Sequence, residues 1–83
     1  MNRLSHKAIY QSDGILIEYQ LETGATVKID LANILGQQIK TVFRGVQAPG
    51  KYQIAFPYNL AKGIYVYTIR AGAQQVSRKV LVK

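Results

Sequence analysis

Residue types that could do chemistry are few in this chain. The sequence contains one histidine, His6, no cysteine and four carboxylates, which are Asp13, Glu18, Glu22 and Asp30. No Ser, Thr or carboxylate has an evident base partner, so the sequence indicates neither an activated nucleophile nor a general acid/base pair. It also lacks metal-ligand spacing and a Gly-x-Gly phosphate loop. We therefore expect a protein that is not an enzyme and that binds no metal and no cofactor.

Positive charge dominates the second part of the sequence. The net charge is +7, all four acids lie in the first 30 positions, and eight Lys or Arg residues follow without any acid. Such a surface attracts anionic partners such as nucleic acid, lipid or polysaccharide, and it also serves solubility. Most aromatic residues alternate toward one face instead of interleaving with Lys and Arg. This pattern argues against nucleic acid as the partner.

The length of 83 residues allows one domain. A domain of this size buries only about 60–65% of its unfolded surface, so a deep active-site cleft is difficult to stabilise. No apolar run reaches the roughly 20 residues that span a bilayer, and the first ten residues lack the apolar centre of a signal peptide. If the natural protein is exported, we expect a longer precursor to carry that signal upstream.

Period-two alternation of apolar and polar residues predicts six strands, and residues 8–11 allow a seventh. Segments 15–21 and 27–31 alternate most clearly. The tight turn between them, at Thr23 and Gly24, predicts that they pair as an antiparallel hairpin. Later structural turns are expected at Gly36 and at Pro49-Gly50, because Gly accepts a positive φ and Pro presets φ.

Residues 60–83 predict a second hairpin. Its first arm carries apolar residues on both faces, so we expect it to be a central strand buried between two layers. Tyr65 and Tyr67 share one face of this arm. Both are expected in the core, each with its hydroxyl on a polar partner.

Strands that bury one face are accommodated by two antiparallel sheets packed face to face. The predicted fold is therefore an all-β antiparallel sandwich of six to seven strands, and a small closed barrel is the alternative. Residues 1–13 are expected to be a leader or linker remnant with the optional first strand, and residues 14–83 to form the sandwich.

Five short motifs occur in a fixed order, at residues 15–24, 27–39, 49–52, 60–65 and 79–83. With them the chain resembles the C-terminal sorting domain of proteins exported by the type IX secretion system of Bacteroidetes. These domains are small immunoglobulin-like β-sandwiches at the end of larger cargo proteins, and the resemblance covers roughly residues 14–83. The Pro-Asn-Pro sequence that commonly opens them is absent before Ile15, as expected of a fragment cut close to the domain boundary.

The resemblance implies a non-catalytic signal that directs a cargo protein through the periplasm and across the outer membrane. The cargo would be secreted or displayed on the cell surface. The implied partners are the outer-membrane translocon and a sortase-like surface peptidase, which removes the domain by a cut upstream, near or before residues 1–12. Attachment of the cargo to anionic lipopolysaccharide often accompanies this cut.

Four residues are the predicted recognition site: Gly63, Tyr65, Lys79 and Lys83. The resemblance places Gly63 and Tyr65 in a motif associated with export. Lys79 and Lys83 lie on the last predicted strand, where an exposed edge could be recognised by strand addition. From the residues alone, Gly63 could simply start a strand, the lysines could discourage aggregation, and the edge could pair in a homodimer. The alternative function is an interaction or adhesion module for an anionic glycan or a protein.

Overall fold

The computed structural model describes residues 4–11, 14–57 and 60–82, and these residues form seven strands and no helix. The strands are β1 (Ser5–Gln11), β2 (Gly14–Leu21), β3 (Ala25–Asn33), β4 (Gln38–Gln47), β5 (Gly50–Pro57), β6 (Gly63–Ala71) and β7 (Gln74–Val82). A three-stranded sheet has the order β1-β2-β5, and a four-stranded sheet has the order β4-β3-β6-β7, with antiparallel pairing throughout. The predicted β-sandwich is confirmed.

The core lies between the inner faces of the two sheets. Alternate residues of the three best-covered strands, β2, β3 and β6, are buried there: Ile15, Ile17, Tyr19, Leu21, Val27, Ile29, Leu31, Tyr65, Tyr67 and Ile69. Complete burial of one such side chain stabilises the fold by about 1.5–3 kcal/mol. These positions are the apolar ones of the predicted alternation.

The predicted hairpin of β2 with β3 is wrong. β2 pairs with β1 and β5, whereas β3 pairs with β4 and β6, so residues 22–24 carry the chain from one sheet to the other. The two strands then face each other across the core instead of lying side by side. Alternation specifies which side chains point inward, but it does not specify the sheet that a strand joins.

The position of β6 agrees with the sequence prediction, but its burial does not. β6 lies between β3 and β7, as expected of a central strand. Its two tyrosines face the core, while Ile64 is 44% exposed and Arg70 is exposed on the opposite face. The expectation of burial on both faces is wrong, because a sandwich of two layers gives each sheet only one inner face.

The irregular pairing of β4 explains why its apolar and polar residues alternate only weakly in the sequence. Its register with β3 shifts twice, between Ile29 and Asp30 and between Leu31 and Ala32. Such an irregularity changes the face to which the following side chains point. The hydroxyl of Thr41 donates a hydrogen bond to Asp30 at 3.0 Å beside the first shift.

The N-terminal residues take part in the sandwich. β1 pairs with β2 along its whole length, from Ser5 opposite Gln20 to Gln11 opposite Gly14, and Leu4 is only 5% exposed. The optional strand at residues 8–11 is therefore present, and it begins three residues earlier. Residues 1–3 and 12–13 of the expected leader lie outside the described residues, and the division at residue 14 stays a prediction.

Substitution of a core residue tests this packing. Ile29→Ala should lower the free energy of unfolding by about 2–5 kcal/mol, because it leaves a cavity between the sheets. Urea denaturation followed by circular dichroism measures the change. Ile39→Ala on β4 is the matched control. Because Ile39 is 43% exposed, its replacement should lower the free energy of unfolding far less. Equal losses in the two variants would contradict the assigned core.

Candidate functional site

The β6–β7 hairpin contains most of the predicted recognition residues. The two strands pair in continuous register from Gly63 opposite Val82 to Ala71 opposite Gln74. The turn has Gly72 at its first central position with a φ of 60°, as a type II′ hairpin turn requires. The backbone N–H of Gly72 also donates to the carbonyl of Thr26 at 3.2 Å. The hairpin is thereby tied to its sheet at the turn as well as along β6.

Gly63 and Tyr65 shape the start of the hairpin. Gly63 has a φ of 152°, which an L-residue rarely adopts, although open space surrounds the position of a Cβ. Tyr65 is buried, and its hydroxyl donates to the carbonyl of Ala61 at 2.7 Å. The ring therefore anchors the segment that leads into β6, and it does not form part of the outer surface.

β7 is an edge strand of the four-stranded sheet. Val80 and Val82 are buried in the core, while Lys79 and Leu81 are exposed on the outer face. The backbone N–H of Leu81 donates to the hydroxyl of Tyr10 at 3.2 Å, on the side away from β6. Because backbone groups alternate along a strand, the odd-numbered residues 75–81 direct their N–H and C=O groups to this outer edge.

The predicted site is brought together only in part. Gly63, Tyr65 and Lys79 lie on the same hairpin, and Lys79 is directly opposite Val66. Of these three, Lys79 alone presents a side chain to solvent. Lys83 lies outside the described residues.

The three predicted turn residues lie at two separate connections. Gly36 has a φ of 87° in the turn from β3 to β4, where the Asn33 side chain accepts hydrogen bonds from two backbone N–H groups at 3.0 Å. Pro49 precedes Gly50, which starts β5 with a φ of 151°. Neither connection contributes to the hairpin.

A polar contact between the sheets was missed at the sequence level. Nδ1 of His6 on β1 lies 2.8 Å from the hydroxyl of Tyr67 on β6, and the two rings meet edge to face. His6 belongs to the expected leader of residues 1–13, but it is partly buried in the sandwich. The only available signal was the alternation of His6, Ala8 and Tyr10 on one face of the short first strand.

Burial controls the ionisation of this pair. Burial, followed by the nearby positive charge of Arg78, lowers the pKa of His6. Burial likewise raises the pKa of Tyr67. Both side chains are therefore neutral at pH 7, so the contact joins the sheets without burying a charge.

Comparison with known families decides the identity. The family model of the secretion system C-terminal sorting domain matches residues 11–83. The chain belongs to this family. A search of curated proteins found no match. The sorting domain is the C-terminal signal of type IX secretion, and it marks cargo that crosses the outer membrane to be secreted or displayed on the cell surface. The function and localisation implied by the resemblance are confirmed, and nothing favours the adhesion module.

The family match places a boundary inside β1. The matched region includes β2 to β7 but only Gln11 of β1. Both His6 and Tyr10, which contact the four-stranded sheet, precede it. These two contacts are therefore features of this sorting domain that the family match does not cover.

The four-stranded sheet is the basic layer of the sorting domain. Its strands carry six Lys or Arg residues and one acid, Asp30, which lies 3.7 Å from Lys28. The strands of the other sheet carry two Lys and one Glu. Neither of the ion pairs among the described residues involves Lys79. An anionic partner would therefore approach the four-stranded sheet first.

Within residues 4–11, 14–57 and 60–82, no three His, Asp or Glu side chains are grouped to hold a metal ion. No helix in the same part of the chain is long and apolar enough to cross a bilayer.

Substitution of Gly63 tests its backbone role. Gly63→Ala should destabilise the domain by about 1–3 kcal/mol, because alanine is strained at this φ. Thermal unfolding followed by circular dichroism measures the effect. Gly24→Ala is the control, since Gly24 has no positive φ and a Cβ there would make ordinary contacts of 3.5 Å or more. A similar loss for both variants would refute the special role of Gly63.

The shifted pKa of His6 predicts a pH dependence of stability. Its folded pKa lies below the unfolded value of about 6.5, so the unfolded chain binds more protons and stability falls as the pH drops through this range. The stabilisation is complete above about pH 6.5 and is lost toward the folded pKa. Urea midpoints at about pH 7.5 and about pH 5.5 should differ less in His6→Gln than in the wild type.

The lowered pKa of Glu18, caused first by its hydrogen bond from Gln53, does not obscure this comparison. Its contribution to stability is lost only below its ordinary value of 4.5. An unchanged pH dependence in His6→Gln would show that another group is responsible.

Proposed function

We propose that the outer-membrane translocon reads this sorting domain at the outer edge of β7, by adding a strand of its own. The observation that carries the proposal is the edge position of β7 in the basic sheet, with the side chain of Lys79 exposed. An edge strand provides backbone donors and acceptors for a further strand, and neighbouring side chains supply selectivity.

The four recognition residues have different roles in this proposal. Lys79 and Lys83 select an acidic partner by charge. Gly63 and Tyr65 act indirectly, by holding the start of the hairpin in place. The buried hydroxyl contact of Tyr65 with Ala61 supports this division of roles.

The anchoring of β7 supports recognition in the folded state. Val80 and Val82 are buried in the core, so the strand is held flat against β6 while its outer edge remains directed away. A preformed edge avoids the entropy cost of ordering a loose tail on binding. The hydroxyl of Tyr10 occupies one position of this edge, at the N–H of Leu81. A docking strand would displace this single hydrogen bond.

The sorting domain is the substrate of the later reaction and performs no chemistry itself. Sorting domains are non-catalytic in general, which supports this assignment. We propose that a sortase-like surface peptidase removes the domain and that the cargo can then be attached to anionic lipopolysaccharide. Because β1 is paired throughout and Leu4 is buried, the cut would fall before Leu4.

The same edge could pair with a second copy of the chain. Antiparallel pairing of two β7 strands would join the four-stranded sheets across a two-fold axis. It would bring the exposed Lys79 side chains of both copies to one surface, where their repulsion opposes a stable homodimer. The translocon and a second copy would therefore compete for the same backbone groups.

An export assay tests the proposed recognition. The chain is fused behind a signal peptide and a reporter in a bacterium with a type IX system, and surface reporter is measured by protease accessibility. The wild-type fusion should reach the surface, and deletion of residues 79–83 should abolish this. Lys79→Glu should reduce surface reporter by about tenfold, as loss of a central charge contact does.

Lys51→Glu is the matched control, because Lys51 is an exposed lysine on β5 of the other sheet. It changes the net charge equally and should leave export intact. Retention of the intact wild-type fusion inside the cell would refute sorting by this chain. Equal defects for Lys79→Glu and Lys51→Glu would refute the role of the β7 edge.

A further inference from the structure

Exposed apolar side chains concentrate at one end of the sandwich. Seven large apolar residues of the described chain are exposed, and six of them lie at the end where β7 finishes. We name this surface the apolar end and define it by Tyr10, Ile34, Leu35, Ile39, Ile64 and Leu81. The seventh, Val46, lies near the end of β4, at the opposite end of the sandwich.

The strand registers place these residues, which come from five elements, at the same end of the sandwich. Ile64 is directly opposite Leu81, and the hydroxyl of Tyr10 accepts the hydrogen bond from the N–H of Leu81. Asn33 is opposite Tyr65, so the turn that follows it extends past the start of β6. Tyr10, Ile64 and Leu81 are therefore neighbours, and the turn lies at the same end of the sheet.

The turn itself does not require apolar residues. Its shape is maintained by the Asn33 side chain and by the positive φ of Gly36. Ile34 and Leu35, which lie between Asn33 and Gly36, have no side-chain group that can form a hydrogen bond. The Leu35 side chain is 81% exposed. Single exposed apolar residues are common on proteins, but a contiguous group is typical of a binding surface.

Charge at the apolar end indicates the kind of partner. Lys40 on β4 and Lys79 on β7 are exposed, and the exposed Lys62 directly precedes β6. Among the described acids, the nearest along these strands is Asp30, which is already engaged by Thr41 and Lys28. An apolar centre with a basic rim complements a surface with an apolar centre and acidic residues around it.

We infer that the apolar end is a docking surface for a protein with an apolar, acid-rimmed patch. The inference rests on the proposed function, because the surface is continuous with the edge of β7 through Leu81. Ile64 and the turn lie on the other side of β7 from that edge. A partner that pairs with the edge and also covers the end of the sheet would contact these apolar side chains.

The test uses the export assay with two turn substitutions made together. Ile34→Ser with Leu35→Ser should reduce surface reporter at least about tenfold, because truncation of apolar side chains at the centre of an interface has effects of this size. Val46→Ser is the matched control, since Val46 is 82% exposed but lies at the opposite end. It should be exported like the wild type.

The urea midpoint of the purified double variant should equal that of the wild type, because both side chains are exposed. If the midpoint falls, the single substitution Leu35→Gln replaces the double variant, and it should also reduce the amount of surface reporter. Export of the wild-type fusion distinguishes failure of the proposed function from failure of the apolar end as a docking surface. Failure of the wild type to reach the surface removes the proposed function, whereas normal export of the turn variants beside defective Lys79→Glu overturns the apolar end alone.

Two measurements on the purified chain distinguish other occupants. Flotation with vesicles of phosphatidylglycerol and phosphatidylethanolamine should show no binding that depends on Ile34 and Leu35. Such binding would overturn the inference in favour of a lipid surface. Size-exclusion chromatography should give the same oligomeric state for the wild type and the double variant. A dimer that the double variant abolishes would identify a second copy as the occupant and would equally overturn it.

Discussion

Burial of one apolar face per strand between the two sheets is the constraint on which the rest of the structure depends. A chain of this size has one core, so each of the seven strands must contribute to it. β7 does so through Val80 and Val82 at its end. These contacts hold the strand against β6, and they leave Lys79 and Leu81, which alternate with the two valines, directed outward. The same alternation thus anchors the last strand and exposes the surface that we propose is recognised.

An exposed edge strand is a risk as well as a signal. Unpaired backbone groups invite association with any other strand, and charged side chains are a common protection. Here Lys79 lies outward on the edge strand, and Tyr10 occupies the N–H of Leu81. Lysine repels further copies of the same basic chain but attracts an acidic partner. Protection against aggregation and selection of a partner are therefore compatible roles for one residue.

β1 connects the two sheets by polar contacts that begin ahead of the family match. His6 reaches Tyr67 on β6, and Tyr10 reaches the backbone of β7. Each contact crosses from the three-stranded sheet to the four-stranded sheet. The first strand thus supports the hairpin that carries the proposed recognition site, although it lies farthest from that hairpin in the sequence.

The features that the sequence by itself determined are those that depend on local patterns of residue types. The period-two alternation identified the inward residues of β2, β3 and β6, because this signal depends only on near neighbours in the chain. Gly36 lies between β3 and β4 and Gly50 starts β5, both with a positive φ that glycine accepts. Five ordered motifs were enough to suggest the sorting family. The buried role of Tyr65, with its hydroxyl on a polar partner, was also predictable from its place in the alternation.

Only the tertiary structure decided how the strands are shared between the sheets. The turn at Thr23 and Gly24 is compatible with a hairpin and with a crossing between layers. In the structure β2 pairs with β1 and β5 and β3 pairs with β4 and β6, so the chain crosses between the layers. That choice brought His6 to Tyr67 and gathered Leu35, Ile64 and Leu81 at one end. Such contacts join residues many positions apart, and a repeat of two residues carries no information about them.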